Sequence, residues 1–202
     1  QDKAELDAAI DSFKETLKIN PNHVEAYNNM GNALKNKGEL NAAIDSYKEA
    51  IKIKPDFSDA FYNMGNTLRD KGELDAAIDS FKETLQIDPN YTAAYNNMGI
   101  ILSNHKFTKP APGLQEIITS LLNRKNYVRP GSISLAAISL LKVEPVIKEL
   151  FERYHAGGLT RPLQETISGL SELPLLLALM SVCPLADLEL EVFLADIRFS
   201  LL

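Results

Sequence analysis

The amino-acid sequence repeats itself every 34 residues over its first half. Three nearly identical hexapeptides stand in this register: Ala26–Gly31, Ala60–Gly65 and Ala94–Gly99. Prolines keep the same step at positions 21, 55 and 89. A fixed period of this length predicts identical supersecondary units that bury their apolar faces by stacking on one another.

Each unit has the pattern of two helices that pack closely. Gly31 lacks a side chain, so we expect the second helix to approach the first closely there, with Ala43 as the matching small residue on the second helix. Gly38 and Gly72 are suited to end first helices with a left-handed residue. Pro55 stops the second helix, because proline cannot continue it.

These positions together resemble the tetratricopeptide repeat, or TPR. The resemblance implies a solenoid of helix pairs whose first helices line a concave groove. Residues 1–20 have the pattern of a second helix without its first helix, and the third unit departs from the pattern after Leu102. Residues 1–106 are therefore predicted to hold a half-repeat, two full repeats and one further first helix.

The composition changes after this array. Residues 1–106 hold 13 of the 15 asparagines, whereas residues 107–202 hold 21 of the 29 leucines. Apolar residues from Leu114 to Leu122 follow a helical stripe, and Ser132 is a candidate N-cap for a helix over 132–142. No stretch alternates like a strand. The predicted fold class is all-α: a TPR helix-turn-helix solenoid followed by an irregular α-helical domain over residues 107–202.

The order of motifs in the second half resembles the helical segment that follows TPR arrays in bacterial TPR–methyltransferase proteins. The motifs are Lys106–Pro110, Arg124–Pro130, Ser139–Lys142 and Pro184–Glu191. The resemblance implies an accessory region of an S-adenosylmethionine-dependent methyltransferase. No strand is followed by a glycine-rich turn and an acidic residue, so we expect neither that cofactor nor its catalytic domain within these residues.

Composition excludes several other classes. A net charge of −6 argues against a nucleic-acid partner, which requires a basic face. One cysteine and three separated histidines offer no metal site. The apolar stretch over 173–186 is short and interrupted by prolines, so no membrane span is expected. Without a signal-peptide pattern at the start, the expected location is the cytoplasm.

The sequence offers no residues for catalysis. Gly157-Gly158 lacks the Lys-Ser/Thr of a phosphate-binding loop, and nothing near Cys183 would lower the pKa of its thiol. Acidic residues such as Asp45 and Glu49 alternate with lysines, as on a solvated helix face. We therefore predict that the chain is not an enzyme and needs no cofactor.

Asparagines stand inside the predicted first helices, although each costs about 0.5 kcal/mol or more in a helix relative to alanine. Asn29, Asn63 and Asn97 share one register, and a ladder of carboxamides can hold the backbone of an extended peptide. This pattern resembles the asparagine ladder of the TPR superhelix of O-linked N-acetylglucosamine transferase. The candidate peptide-binding residues are Asn28, Asn29, Asn32, Lys35, Tyr62, Asn63, Asn66, Arg69, Asn96 and Asn97.

The same side chains have two other interpretations, a structural role of the amides and a carboxylate clamp. Some amides could tie neighbouring helices together or simply be solvated. The carboxylate clamp of heat-shock co-chaperones is not supported, because Asn28, Ala93 and Asn97 occupy its three cationic positions. The expected groove charges nearly cancel, with two cations against Glu25, Asp59 and Asp70.

The sequence thus predicts a non-catalytic scaffold that binds a protein or an extended peptide in the TPR groove. The alternative is the substrate-recognition region of a larger methyltransferase. Replacing Asn29 and Asn63 by alanine is expected to weaken peptide binding with little effect on stability. Both ends leave apolar surface, so we expect either further sequence beyond them or self-association through the exposed helix ends.

Overall fold

A computed structural model describes residues 3–103, 106–108, 114–123, 130–145 and 147–149, with four single residues at 152, 175, 176 and 178. Within this part of the chain there is no strand, in agreement with the predicted all-α class. The helices are α1 (Lys3–Ile19), α2 (Val24–Lys37), α3 (Leu40–Ile53), α4 (Ser58–Lys71), α5 (Leu74–Ile87), α6 (Thr92–Leu102), α7 (Leu114–Asn123) and α8 (Pro130–Val143).

The chain forms two compact units, Gln1–Met98 and Gly99–Leu202. The division lies inside α6, at the last first-helix of the repeat array. The predicted domain boundary between residues 106 and 107 rests on composition and stays a prediction.

The first unit is a stack of helix pairs. α2 packs with α3 and α4 packs with α5, while α3 contacts α4 and α2 also contacts α4, the first helix of the next pair. The predicted close approach at the glycines is confirmed. A Cβ built on Gly31 would lie 2.5 Å from Tyr47 Cε1, and one on Gly65 would lie 2.8 Å from Phe81 Cε1. Both rings are fully buried between helices.

The helix ends are where the repeat pattern predicts them. Gly38 and Gly72 adopt left-handed conformations, with φ of 88° and 86°, directly after α2 and α4. The Gly38 N–H donates to the carbonyls of the last turn of α2, which satisfies groups that the helix leaves unpaired. α3 ends at Ile53, two residues before Pro55.

The second unit is described in part. α7 buries the predicted leucine and isoleucine stripe and packs against α8. α8 begins at Pro130, so the prediction of Ser132 as its N-cap is wrong. Proline is favoured at the first helical position, because its fixed φ suits the helix and it has no N–H to leave unpaired. Gly157-Gly158, Cys183 and the motif over 184–191 lie outside the described residues.

Candidate functional site

The first helices of the array, α2, α4 and α6, carry the predicted asparagines, and we call the surface they line the first-helix face. Asn29 and Asn96 are exposed on it. Asn28 and Asn66 are buried, each with 8% of its surface accessible. Half-buried positions are occupied by Asn32, Asn63 and Asn97. The predicted amides are therefore placed at three depths.

Asn63 and Asn97 join consecutive first helices through their side-chain amides. Asn63 Nδ2 donates to Asn28 Oδ1 at 3.0 Å, which links α4 to α2. Asn97 Nδ2 donates to Asn66 Oδ1 at 2.7 Å and to the Tyr62 hydroxyl at 3.1 Å, which links α6 to α4. These two links, the amide ladder, are the helix-tying role that the sequence left open.

Asn32 is held differently from its equivalent Asn66. The Tyr47 hydroxyl donates to Asn32 Oδ1 at 2.8 Å, within one repeat. Burial raises the pKa of Tyr47 to about 12, a shift that the nearby Thr67 hydroxyl partly offsets. In the next repeat Phe81 has no hydroxyl, and Asn66 Oδ1 accepts from Asn97 instead. The two repeats differ here at two positions, with Tyr47 against Phe81 and Asn28 against Tyr62.

Tyr91 is a residue of this face that the sequence analysis missed. Its ring stacks on Tyr62 with centroids 4.9 Å apart, and its hydroxyl donates to Asp59 Oδ1 at 2.9 Å. Burial, together with the Asp59 carboxylate, raises the pKa of Tyr91. A signal was present in the sequence, because ring side chains precede every first helix at His23, Phe57 and Tyr91.

The predicted groove cations are paired within the chain. Lys35 Nζ lies 3.1 Å from Asp70 Oδ2, and Arg69 Nη2 lies 3.2 Å from Asp70 Oδ1. Burial acts to raise the pKa of Asp70, but the hydrogen bonds and charges of both cations outweigh it and hold that pKa below its usual value. These two cations therefore share one carboxylate on the first-helix face, which offsets one of their two positive charges.

The described residues were also compared with three other kinds of site: a cavity, a metal site and a membrane span. A cavity of about 530 Å³ opens between α3, α4 and α5, and none of the ten predicted site residues lines it. No cluster of metal-ligating side chains occurs within the part of the chain that is described. Among the same residues, no helix is long and apolar enough to cross a membrane.

Stacked helix pairs with a 34-residue period, linked through their first helices, define an α-solenoid repeat protein. Models of the tetratricopeptide repeat match residues 12–45 and 58–91, and a TPR repeat model matches residues 31–68. Residues 12–91 are therefore TPR repeats, which generally mediate protein or peptide binding. No curated protein matches the chain.

Two crystal structures of MamA share the fold at low sequence identity. A crystal structure of MamA aligns with a TM-score of 0.51 and 22% identity, over 89% of this chain and 91% of that one. Another crystal structure of MamA gives 0.50 and 23%, over 87% and 84%. A mutant O-GlcNAc transferase from Thermobaculum terrenum gives 0.48 and 22%, over 60% of this chain and 23% of that one. These comparisons do not confirm the methyltransferase-like resemblance of residues 107–202, which stays a prediction.

Proposed function

We propose that this chain is a non-catalytic scaffold that binds an extended peptide along the first-helix face. The amide ladder carries the proposal. It holds Asn63 and Asn97 in fixed positions on neighbouring first helices, while both remain partly accessible to a ligand. An immobilised side chain loses little rotamer entropy on binding, which favours affinity.

The ladder leaves hydrogen-bonding capacity for a peptide backbone. Asn63 uses one of its two N–H groups on Asn28, and its Oδ1 has no partner within the described residues. The exposed Asn29 shares the register of Asn63 and Asn97, and the exposed Asn96 precedes Asn97 on α6. A row of mixed donors and acceptors can pair with backbone N–H and C=O groups, each bond contributing about 0.5–1.5 kcal/mol.

Charge favours recognition of the backbone over recognition of acidic side chains. Lys35 and Arg69 both pair with Asp70, so a ligand carboxylate would compete with that residue for them. The carboxamides carry no net charge and impose no sign on the ligand. The expected ligand is therefore an extended peptide whose side chains matter less than its accessible backbone.

Binding should be measured by fluorescence anisotropy on peptides selected from an array with the 202-residue chain. Replacing Asn29 and Asn96 by alanine removes two exposed amides and should weaken binding about 30-fold, from roughly 1 kcal/mol for each bond. Neither side chain has a hydrogen bond within the described part of the chain, so the melting temperature should not fall.

Asn41→Ala is the matched control, since Asn41 is exposed on a second helix rather than on the first-helix face. It should bind peptide as the original chain does. Equal affinity in the double variant and in the original chain would contradict the proposal. Equal losses in the double variant and in Asn41→Ala would also contradict it.

A further inference from the structure

Two tyrosine rings stack where the amide ladder joins α4 to α6. The centroids of the Tyr62 and Tyr91 rings lie 4.9 Å apart, and we call these two residues the tyrosine pair. Asn97 Nδ2 donates to the Tyr62 hydroxyl at 3.1 Å, so the pair adjoins the amides that are proposed to hold a peptide. Both tyrosines are half-buried, and part of each stays accessible. A side chain of a bound peptide therefore has access to the pair.

Two carboxylates lie beside the tyrosine pair without a cation. The Tyr91 hydroxyl donates to Asp59 Oδ1 at 2.9 Å. Burial raises the pKa of Tyr91, and the charges of Asp59 and Asp88 raise that pKa further. Within the described residues, neither carboxylate forms an ion pair. The chain therefore leaves negative charge next to the rings, which a cation of a ligand can neutralise.

The preceding repeat shows the same ring position with a cation supplied by the chain. Phe57 corresponds to Tyr91 by the 34-residue step, and Lys54 corresponds to Asp88. Lys54 Nζ lies over the Phe57 ring, 5.3 Å from its centroid. A cation within about 6 Å of a ring centroid is attracted by the electron-rich face of the ring. Beside Tyr91 an acidic residue stands at the position of that lysine, so a cation for this ring has to come from a ligand.

We propose that the tyrosine pair and Asp59 bind an arginine side chain of a peptide that lies along the first-helix face. The planar guanidinium can stack on an accessible ring and donate hydrogen bonds to the carboxylate at the same time. Lysine offers a point charge without a flat surface, so it suits this combination less well. That the arginine belongs to an extended peptide rests on the proposed function, whereas the attraction of a guanidinium to these three residues does not.

The first probe is N-acetyl-arginine amide, compared with N-acetyl-citrulline amide, which has nearly the same shape without the charge. Each compound is titrated into the isotopically labelled chain and followed by NMR. The arginine compound should shift the backbone amide signals of Asp59 and Tyr91 in a concentration-dependent way, and the citrulline compound should not. Absence of arginine-dependent shifts at these two residues would overturn the proposal, whether or not any peptide binds the chain.

The second probe is a pair of alanine–serine peptides that differ only in having arginine or citrulline at the central position. In fluorescence anisotropy the arginine peptide should bind about tenfold more tightly, from a cation–π contact together with a charge-assisted hydrogen bond. Asp59→Asn keeps an acceptor for the Tyr91 hydroxyl but removes the charge, so it should abolish this preference. Asp88→Lys should abolish the preference too, because it supplies a cation of the chain as Lys54 does for Phe57.

Asp79→Asn is the matched control. It changes the net charge by the same single unit as Asp59→Asn, but Asp79 is exposed on α5, a second helix. This variant should keep the preference for the arginine peptide. Equal losses in Asp79→Asn and Asp59→Asn would overturn the proposal, since the effect would then come from net charge alone.

The two probes distinguish a failure of the arginine site from a failure of the proposed peptide binding. If the arginine and citrulline peptides bind the original chain equally well, peptide binding stands and the arginine site is refuted. If neither peptide binds while the NMR shifts at Asp59 and Tyr91 appear, the proposed peptide binding fails and the site for a guanidinium stands.

Discussion

Asn63→Ala tests whether the amide ladder stabilises the array. The substitution removes the donor to Asn28 Oδ1, and Asn28 is 8% exposed, so water has little access to replace it. Leaving a buried acceptor unpaired costs about 1–3 kcal/mol. Alanine is the better helix former and returns about 0.6 kcal/mol. The free energy of unfolding should therefore fall by about 0.5–2.5 kcal/mol.

This expected loss of stability in Asn63→Ala differs from the prediction made for Asn63 from the sequence. The sequence treated Asn29 and Asn63 alike, as groove amides whose removal would leave stability nearly unchanged. The structure distinguishes them, because the Asn29 side chain is exposed and has no hydrogen bond within the described residues, whereas the Asn63 side chain joins two helices. Asn29→Ala is therefore the matched control, and it should match or slightly exceed the stability of the original chain.

The assay is urea denaturation of the two variants, followed by circular dichroism. A double-mutant cycle with Asn28→Ala isolates the bond between the two amides, and the coupling energy should be about 1 kcal/mol. Equal stability of Asn63→Ala and Asn29→Ala, with no coupling to Asn28, would refute a structural role for the ladder.

Three further predictions concern the surroundings of the ladder. Gly31→Ala should lower the free energy of unfolding by about 1–2 kcal/mol in thermal denaturation, because a methyl 2.5 Å from the buried Tyr47 ring costs more than the gain in helix propensity. Because the pKa of Tyr47 is raised in the folded chain, the unfolded chain loses the Tyr47 hydroxyl proton at a lower pH. The free energy of unfolding should therefore fall as the pH rises from about 10 to 12. Urea titrations of Tyr47→Phe should lack this part of the pH dependence. Asp70→Asn should change the free energy of unfolding by less than about 1 kcal/mol, since the ion pairs of Asp70 are partly exposed. Because the variant leaves Lys35 and Arg69 without this carboxylate, anisotropy measurements at low salt should show stronger binding of acidic peptides. A salt-independent gain for acidic peptides would contradict the last of these.

The sequence predicted the parts of the fold that local sterics determine. The close approach of two helices at Gly31 and the end of α2 at Gly38 were predictable, because each position requires a residue without a side chain, whereas the contact of Gly31 with the Tyr47 ring was not predicted. The partners of the amides were not predictable in this way. Asn28, Asn32 and Asn66 are chemically equivalent acceptors, and the choice among them depends on side-chain positions across two helices.

Tyr91 and Ser132 show two other limits of the sequence. Tyr91 belongs to a connection between helices, and its contact with Tyr62 depends on how the third unit packs on the second. At α8 two local start signals competed, and Pro130 prevailed over the capping serine two residues later.

The differences between Tyr47 and Phe81 and between Asn28 and Tyr62 mean that the two full repeats cannot replace one another. An array lengthened by copying residues 24–57 would gain the tyrosine-type arrangement, in which Asn32 accepts a hydrogen bond from Tyr47 of the same repeat. Copying residues 58–91 would add the phenylalanine-type arrangement, in which Asn66 accepts a hydrogen bond from the first helix of the following repeat. The order of the copies would then determine how stable each junction between repeats is. The least stable junction would be the first to unfold in a lengthened array.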